Sequence, residues 1–467
     1  MQTIHVTTRQ TDLPIDSITP VQAYARLRDT YARSLLFECN TASNDEDRYS
    51  YICLDPLIEL EADQLALYCV TASQKQRFPF SPNKDFSQTY DLVLQHLKTD
   101  GNSPAHNGLF GHTSFEAHQL KNTSKNKENG TSPILFNYAL FRFVLVFDHS
   151  RHKLQLIENR FPEESSQKKR VLANLTHQAV LDFPFELISG PLPVEKEEAI
   201  AENISRAINH CKKGDTFQLV LSRGYTSQFQ GDDFQVYRQL RALNPSPYLF
   251  YFDYGNYRLM GSSPELQISI DKQIARVKPI AGTYPRAKLS DNAKQVTEKL
   301  LTDPKENAEH VMLVDLARND LGMDAKNIVV EAFKTIETYS HVHHMVSSVR
   351  GDLSESANPV SVFLNTFPAG TLTGAPKTKA LELINKYEIA PRNWYGGAVG
   401  FFNLNGDVRQ AIAIRSLFSQ NNHLHYRAGA GIVAVSSVKK EMQEMNQKMR
   451  ALFQATEQAA NTSINIL

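Results

Sequence analysis

A chain of 467 residues with 50 basic and 50 acidic side chains carries no formal net charge at neutral pH, which excludes a surface built globally for nucleic acid or an anionic membrane. Its 41% apolar content can bury a sizeable core, enough for two or three average domains or one large domain with a smaller companion. Cys39, Cys53, Cys69 and Cys211 are scattered without C-x-x-C or zinc spacing, so free thiols in a reducing compartment are expected. The start, MQTIHVTTRQTDLP, has no basic segment followed by an apolar one, and the longest apolar-rich strip, from Tyr138, is interrupted by Arg142 and too short to span a bilayer. A cytoplasmic protein is the expectation.

In chain order, β-rich runs come first: YSYICLDPLIEL from Tyr49, ALFRFVLVF from Ala139 and KLQLIENR from Lys153. The polar stretch from Lys121 to Ser132 is expected to be a mobile loop. Residues 1–188 therefore read as a mostly β domain. Ser189 to Pro193 (SGPLP) marks a break, after which VEKEEAIAENISRAINHCKK reads as a helix ended by Gly214 and Asp215. Strands such as FQLVLSRGYTSQF, YLFYFDY, RLMGSSPELQISI and GGAVGFFNL then alternate with a few long helices up to about residue 456. The predicted class is α+β, with mixed, largely antiparallel sheets and helices packed outside; no short repeat suggests a solenoid or propeller.

The chemistry concentrates in the second part. FPAGTLTGAPKTKALELI, from Phe367 to Ile384, joins a Gly- and Thr-rich bend to an amphipathic helix opened by Pro376, a junction that turns backbone N–H groups and hydroxyls toward a small anion. In TDPKENAEHVMLVDLARNDL, Asp303 can cap a helix that Pro304 begins, and Glu306, Glu309 and His310 share neighbouring positions. Those carboxylates can reach one ion; equally, Glu306 can complete a capping box while Glu309 faces solvent.

In SSVKKEMQEMNQKMRAL, Val438, Met442, Met445, Met449 and Leu452 form a buried stripe, with Glu441, Glu444 and Lys448 in the next row. The alternative for that row is a first-turn acidic bias and a Glu444–Lys448 ion pair. Four glutamates without clustered Cys or His would select a hard ion such as Mg²⁺. Arg415, flanked by the apolar run from Ala411 to Ile414, must find a partner, either a substrate carboxylate or a protein one. Gly429 and Gly431 permit close backbone approach to an anion or simply mark a strand-end bulge. His341, His343 and His344 resemble a zinc cluster only superficially, because neighbouring strand positions point to opposite faces, and no P-loop spacing exists.

Taken together, GDTFQLVLSR, NPSPYLFY, SSPELQISI, PIAGTYPR, ENAEHVMLVDLARNDLG, FPAGTLTGAPK, YGGAVG, AIAIRS and GAGIVA occur in an order that resembles the chorismate-utilising enzymes, and most closely the anthranilate synthase component I family. The match runs from about Val194 to Leu452 and extends more weakly into RSLLFECN and YSYICLDP. The resemblance implies a chorismate-binding catalytic domain over residues 194–456 and an N-terminal domain, 1–188, carrying an inhibitor pocket and partner contacts. It implies Mg²⁺ at Glu306, Glu309, Glu441 and Glu444, substrate-carboxylate contacts at Tyr395, Arg415, Gly429, Ala430, Gly431 and Lys448, and ring-side positions at Ala281, Gly282, Thr283, His344 and Thr371. Glu265 matches the acid that protonates the departing C4 hydroxyl, a role suited to a shielded carboxyl; outside the family match it reads as a strand-edge carboxylate.

Gln218 stands where water-adding relatives carry a Lys base, and Ala281 where aminodeoxychorismate synthases carry a nucleophilic Lys; Lys278 is not that position. Both favour ammonia addition to chorismate, loss of the C4 hydroxyl and elimination of pyruvate to give anthranilate. His344 is a candidate second-step base. With no Cys in a nucleophile-elbow setting, ammonia is expected from a separate glutamine amidotransferase subunit. Tryptophan inhibition is implied through Glu38, Cys39, Pro247, Tyr248 and Leu249, although Cys39 replaces a usual Ser and Leu249 a usual Met. Val435 and Val438 replace a usual Asp and Pro before the second Glu helix. The competing expectations are aminodeoxychorismate synthase component I and a non-catalytic chorismate- or tryptophan-binding homologue.

Overall fold

The computed structural model describes residues 3–14, 17–39, 48–81, 84–100, 104–125, 134–285, 298, 300–338 and 342–464. Its centre is the antiparallel pair Tyr49–Ala62 and Phe136–Asp148, from which two arms of sheet grow. One arm runs from Tyr49–Ala62 through Ser34–Cys39, Tyr248–Asp253, Arg258–Ser263, Ser416–Gln420 and His423–Ile432 to Gln218–Gly231. The other runs from Phe136–Asp148 through Gly108–Thr113, Ala398–Asn403, Val408–Ile412, Leu266–Asp271 and Ile274–Val277 to Val342–Leu353. Every pairing along both arms is antiparallel; Ile4–Leu13 pairs in parallel with Leu97–Thr99. The fold is mixed α+β and predominantly antiparallel, as the sequence pattern predicts.

The continuous apolar run of Phe136–Asp148 is explained by its place: it is buried along almost its whole length, and only Arg142 reaches outward, to Asp55 at 2.8 Å and Glu164 at 2.5 Å. Between the arms, Phe37, Tyr51, Phe250 and Phe252 meet Phe110 and Phe401, with the Tyr51 and Phe401 rings 5.3 Å apart. Two pairings join the parts expected to be separate domains: Cys39 lies opposite Tyr248, and Thr113 opposite Ala398.

Helices cover the outer faces. Glu197–Lys213 buries Ile200, Ile204, Ala207, Ile208 and Cys211, a helical stripe, and ends on Gly214 at φ 81°, the left-handed conformation that glycine adopts without a Cβ penalty. Val438–Ile464 buries Met445, Met449 and Leu452. Of the stretch expected to be a loop, Lys121–Lys125 instead completes a 3-10 helix, Phe115–Lys125, with Lys121 partly buried; residues 126–132 lie outside the described residues. Its polar composition hid a short helix anchored by the upstream Phe115, Ala117 and Leu120, all buried.

Candidate active site

The last two strands of the first arm form the floor. Their register sets Val220 opposite Gly431, Leu221 opposite Ala430 and Ser222 opposite Gly429. Glycine at 429 is required by close approach, since a Cβ there would lie 2.8 Å from Leu221 O and 3.0 Å from the Tyr395 hydroxyl, whereas one at Gly431 would meet only the Gln218 side chain, 2.5 Å from its Nε2. Gln218, 2% exposed, donates from Nε2 to Glu309 Oε1 at 2.7 Å, while its own Oε1 is buried with no hydrogen bond. The floor is thereby tied to the helix Pro304–Leu321.

Above it stands Glu265, at the start of the strand arm that carries Leu266–Asp271. Thr371 Oγ1, from the short helix Gly370–Thr373, donates to Glu265 Oε1 at 2.9 Å. Burial dominates its electrostatics and raises its pKa to about 7, against the opposing pull of the Thr371 hydrogen bond and of Lys448. A carboxyl in that range holds a proton at neutral pH and can give it up.

Arg415 lies in the turn between Val408–Ile412 and Ser416–Gln420 with φ 49°, a conformation unusual for a long side chain. Burial pulls its pKa below the ordinary guanidinium value, with Tyr395 and Glu444 in weak opposition. Among the described residues its side chain forms no ion pair or hydrogen bond, so the protein-carboxylate alternative for its partner is not realised here. Tyr395, 4% exposed, packs with Ala369, Leu372 and Ile412, and its hydroxyl hydrogen-bonds the Gly429 backbone. Lys448 Nζ donates to Gly429 O at 3.0 Å and pairs with Glu444 at 2.8 Å.

The expected metal ligands occupy two helices. Asp303 Oδ1 accepts from Glu306 N at 3.2 Å, capping the helix that Pro304 begins. His310 is fully buried, with Nε2 2.6 Å from Ser347 Oγ, and burial lowers its pKa to about 4. This neutral histidine fixes the helix to the strand Val342–Leu353 and thus orients Glu309. On Val438–Ile464, Glu441 is buried at 4% exposure, whereas Glu444 makes the ion pair with Lys448. Glu309 through Gln218, and Glu444 through Lys448, are connected to the same two-stranded floor. Among the described residues no three Asp, Glu, His or Cys side chains converge as a ready-made metal cage. The all-carboxylate donor set fits a hard ion that keeps waters or substrate oxygens in its shell.

The remaining expected positions fall as follows. Thr283 lies opposite His344 in the pairing of Ile280–Pro285 with Val342–Leu353, and a bulge between Ala281 and Thr283 places Gly282 at the irregularity. His343 and His344 are both buried; His341 lies outside the described residues. Of the expected inhibitor positions, Cys39 pairs with Tyr248 and Glu38 with Leu249, beside buried Pro247. Glu38 accepts from Tyr237 at 2.7 Å and from Arg241 at 2.8 and 3.0 Å.

Sequence reasoning missed Arg392 and Glu388. Arg392, 1% exposed, donates to Leu372 O at 2.6 Å, Val220 O at 2.8 Å and both oxygens of Glu388, and its guanidinium lies 4.5 Å from the Phe115 ring centre. Glu388 also accepts from Ser222 N at 2.8 Å. This pair joins the Thr371 segment, the floor and the Tyr395 turn. The signal available was an acid and a base four apart beside an apolar helix, but they lie beyond the helix end, where that spacing has no helical meaning.

A family model described as chorismate binding enzyme matches residues 59–454, and the chain belongs to that family. Among individual relatives, it is 34% identical to anthranilate synthase component 1 of Acinetobacter calcoaceticus, over 96% of this chain and 94% of that one. It is 32% identical to the Aquifex aeolicus protein of the same name, again over 96% and 94%. The crystal structure of anthranilate synthase component I from Streptococcus pneumoniae superposes with a TM-score of 0.75 at 28% identity, covering 95% of this chain and 99% of that one. The menaquinone-specific isochorismate synthase MenF of Escherichia coli shares the fold, with a TM-score of 0.75 at 19% identity over 97% and 95%.

Proposed function

We propose that this chain is the chorismate-converting subunit of an anthranilate synthase, turning chorismate and ammonia into anthranilate, pyruvate and water. The observation that carries this reading is Arg415, a buried guanidinium that among the described residues makes no ion pair or hydrogen bond, standing in a site where burial raises the pKa of the Glu265 carboxyl to about 7. A substrate carboxylate would complete Arg415, with the Gly429–Gly431 backbone, Tyr395 and Lys448 fixing its orientation. Glu265 gives its proton to the departing C4 hydroxyl, which leaves as water, because hydroxide is a poor leaving group. Ammonia adds at C2, and cleavage of the enolpyruvyl ether then restores aromaticity and releases pyruvate.

Gln218 supports ammonia over water as nucleophile: its amide is not a base and is already directed to Glu309. Ala281 offers no amine for a covalent intermediate. Glu306, Glu309, Glu441 and Glu444 are the residues that would hold Mg²⁺, which when bound neutralises the ring carboxylate and stabilises developing charge. The name "component 1" borne by the relatives supports a separate glutamine amidotransferase partner, and a cytoplasmic setting accords with the described residues containing no helix long and apolar enough to cross a membrane. Tryptophan as inhibitor at Glu38, Cys39, Pro247, Tyr248 and Leu249 belongs to the same reading.

The test is incubation of the purified chain with chorismate, ammonium and Mg²⁺, with and without EDTA, following product fluorescence and mass. Anthranilate formed only without chelator supports the proposal; a product that retains the pyruvyl carbons, or ligand binding without turnover, overturns it.

A further inference from the structure

Behind Glu265 lies a polar tether that the proposed reaction does not use. Lys377 opens the helix Lys377–Tyr387, and its side chain, 13% exposed, donates from Nζ to Asp320 Oδ2 at 2.7 Å and to Thr366 O at 2.9 Å. Asp320 lies near the end of the helix Pro304–Leu321, which carries Glu309 and His310. Thr366 O accepts a second bond, from Gln267 Nε2 at 3.0 Å, and both of those residues are buried. One carbonyl thus gathers the end of the helix Pro359–Thr366, the strand that follows Glu265 and the start of the helix Lys377–Tyr387.

From Thr366 the chain bends to Thr371, whose Oγ1 donates to Glu265 Oε1 at 2.9 Å. The bend is therefore fixed at one end by Lys377 and Gln267 and at the other by Glu265. Glu265, Gln267, Asp320, Thr366, Gly370 and Thr371 line one cavity. A buried ammonium is costly unless it is paired and hydrogen-bonded, and Lys377 meets both conditions. Its surroundings are charged from two sides: burial and then Lys377 lower the pKa of Lys121 to about 8, with Asp320 and Asp324 in opposition. Asp320 is held above the usual carboxylate range by burial, against the pull of Lys377 and Lys121. What the arrangement secures is the place of the Thr366 carbonyl, because a charged donor holds a backbone acceptor more strongly than the neutral amide of Gln267 does.

We propose that Lys377 is a positioning residue for the proton donor: by fixing the Thr366 end of the bend it keeps the Thr371 hydroxyl on Glu265. The inference rests on the reading of Glu265 as the acid of the proposed reaction. Lys377 acts through the bend and not through its charge, since the groups that act on Glu265 are Thr371 and Lys448, and Lys278 and Asp320 share its cavity.

The experiment is an infrared titration of the resting full chain, without chorismate, in which Glu265 is the carboxyl signal missing from Glu265→Gln. Lys377→Met alone strands the charge of Asp320, so Lys377→Met is also combined with Asp320→Asn, which removes the pair together and keeps the net charge. In the combined variant the Glu265 midpoint should rise by about one unit, as it does in Thr371→Val, and adding Thr371→Val should move it no further. With chorismate and ammonium, kcat should fall about tenfold with KM little changed. A midpoint unmoved in the combined variant, or a second shift of the same size on adding Thr371→Val, overturns the proposal. Both are read without turnover, so a chain that makes no anthranilate counts against the proposed reaction and not against the tether.

Discussion

Thr371 Oγ1 holds Glu265 Oε1 at 2.9 Å, and the contact pulls the carboxyl toward ionisation while burial pushes the other way and wins, leaving a pKa of about 7. If Glu265 acts as the acid, kcat/KM falls as pH rises through about 7. Thr371→Val removes a bond that favours the charged form, so the alkaline limb moves to higher pH. A pH–rate profile of both proteins checks the sign; a shift to lower pH contradicts the assignment.

The same group carries a stability signature. Its pKa rises from 4.5 in the unfolded chain to about 7 in the fold, so the folded state binds the proton more tightly. No penalty exists below pH 4.5; it grows as pH rises to about 7 and is constant above, at roughly 3 kcal/mol as an upper figure. Glu265→Gln is therefore expected to be more stable than wild type at pH 8, to lose that advantage at pH 4, and to lack turnover. Urea unfolding at the two pH values measures it.

In the proposed function Arg415 gives its charge to the substrate carboxylate, since among the described residues its side chain makes no ion pair or hydrogen bond. Arg415→Met should lower kcat/KM by roughly 10- to 100-fold, the worth of a charged hydrogen-bonded contact, chiefly through KM. Its melting temperature should be unchanged or higher, because a desolvated charge that makes no ion pair or hydrogen bond among the described residues has been removed. A marked fall in melting temperature would show that the guanidinium has a structural partner.

Arg392 and Glu388 behave oppositely. Arg392→Met leaves the buried Glu388 without its ion-pair partner, a loss of about 3–5 kcal/mol. The Arg392 guanidinium helps hold the Glu388 carboxyl below its usual range despite burial. The stabilisation is present above the unfolded value and is lost as pH falls through the depressed one. Combining Arg392→Met with Glu388→Gln should recover part of the loss in chemical denaturation; strict additivity of the two would mean that the pair is not coupled.

Much of this was legible from local pattern. Asp303 and Pro304 foretold the start of one helix, Gly214 the end of another, and Met445, Met449 and Leu452 the buried face of the longest. Glu444 could be seen beside Lys448, because four residues in a helix bring two side chains together. Lys121–Lys125 was not legible, since its helix depends on apolar residues upstream.

What the sequence determined alone was periodicity, caps, charge balance and the ordered motifs that mark the family, all properties of neighbours along the chain. Tertiary structure decided the rest: that Gln218 meets Glu309, that Thr371 meets Glu265, that Glu388 and Arg392 fasten the Thr371 segment to the floor, and that Arg415 makes no ion pair or hydrogen bond among the described residues. Those outcomes depend on desolvation and on strand register between distant segments, and both come into being only when the two arms of sheet close on each other.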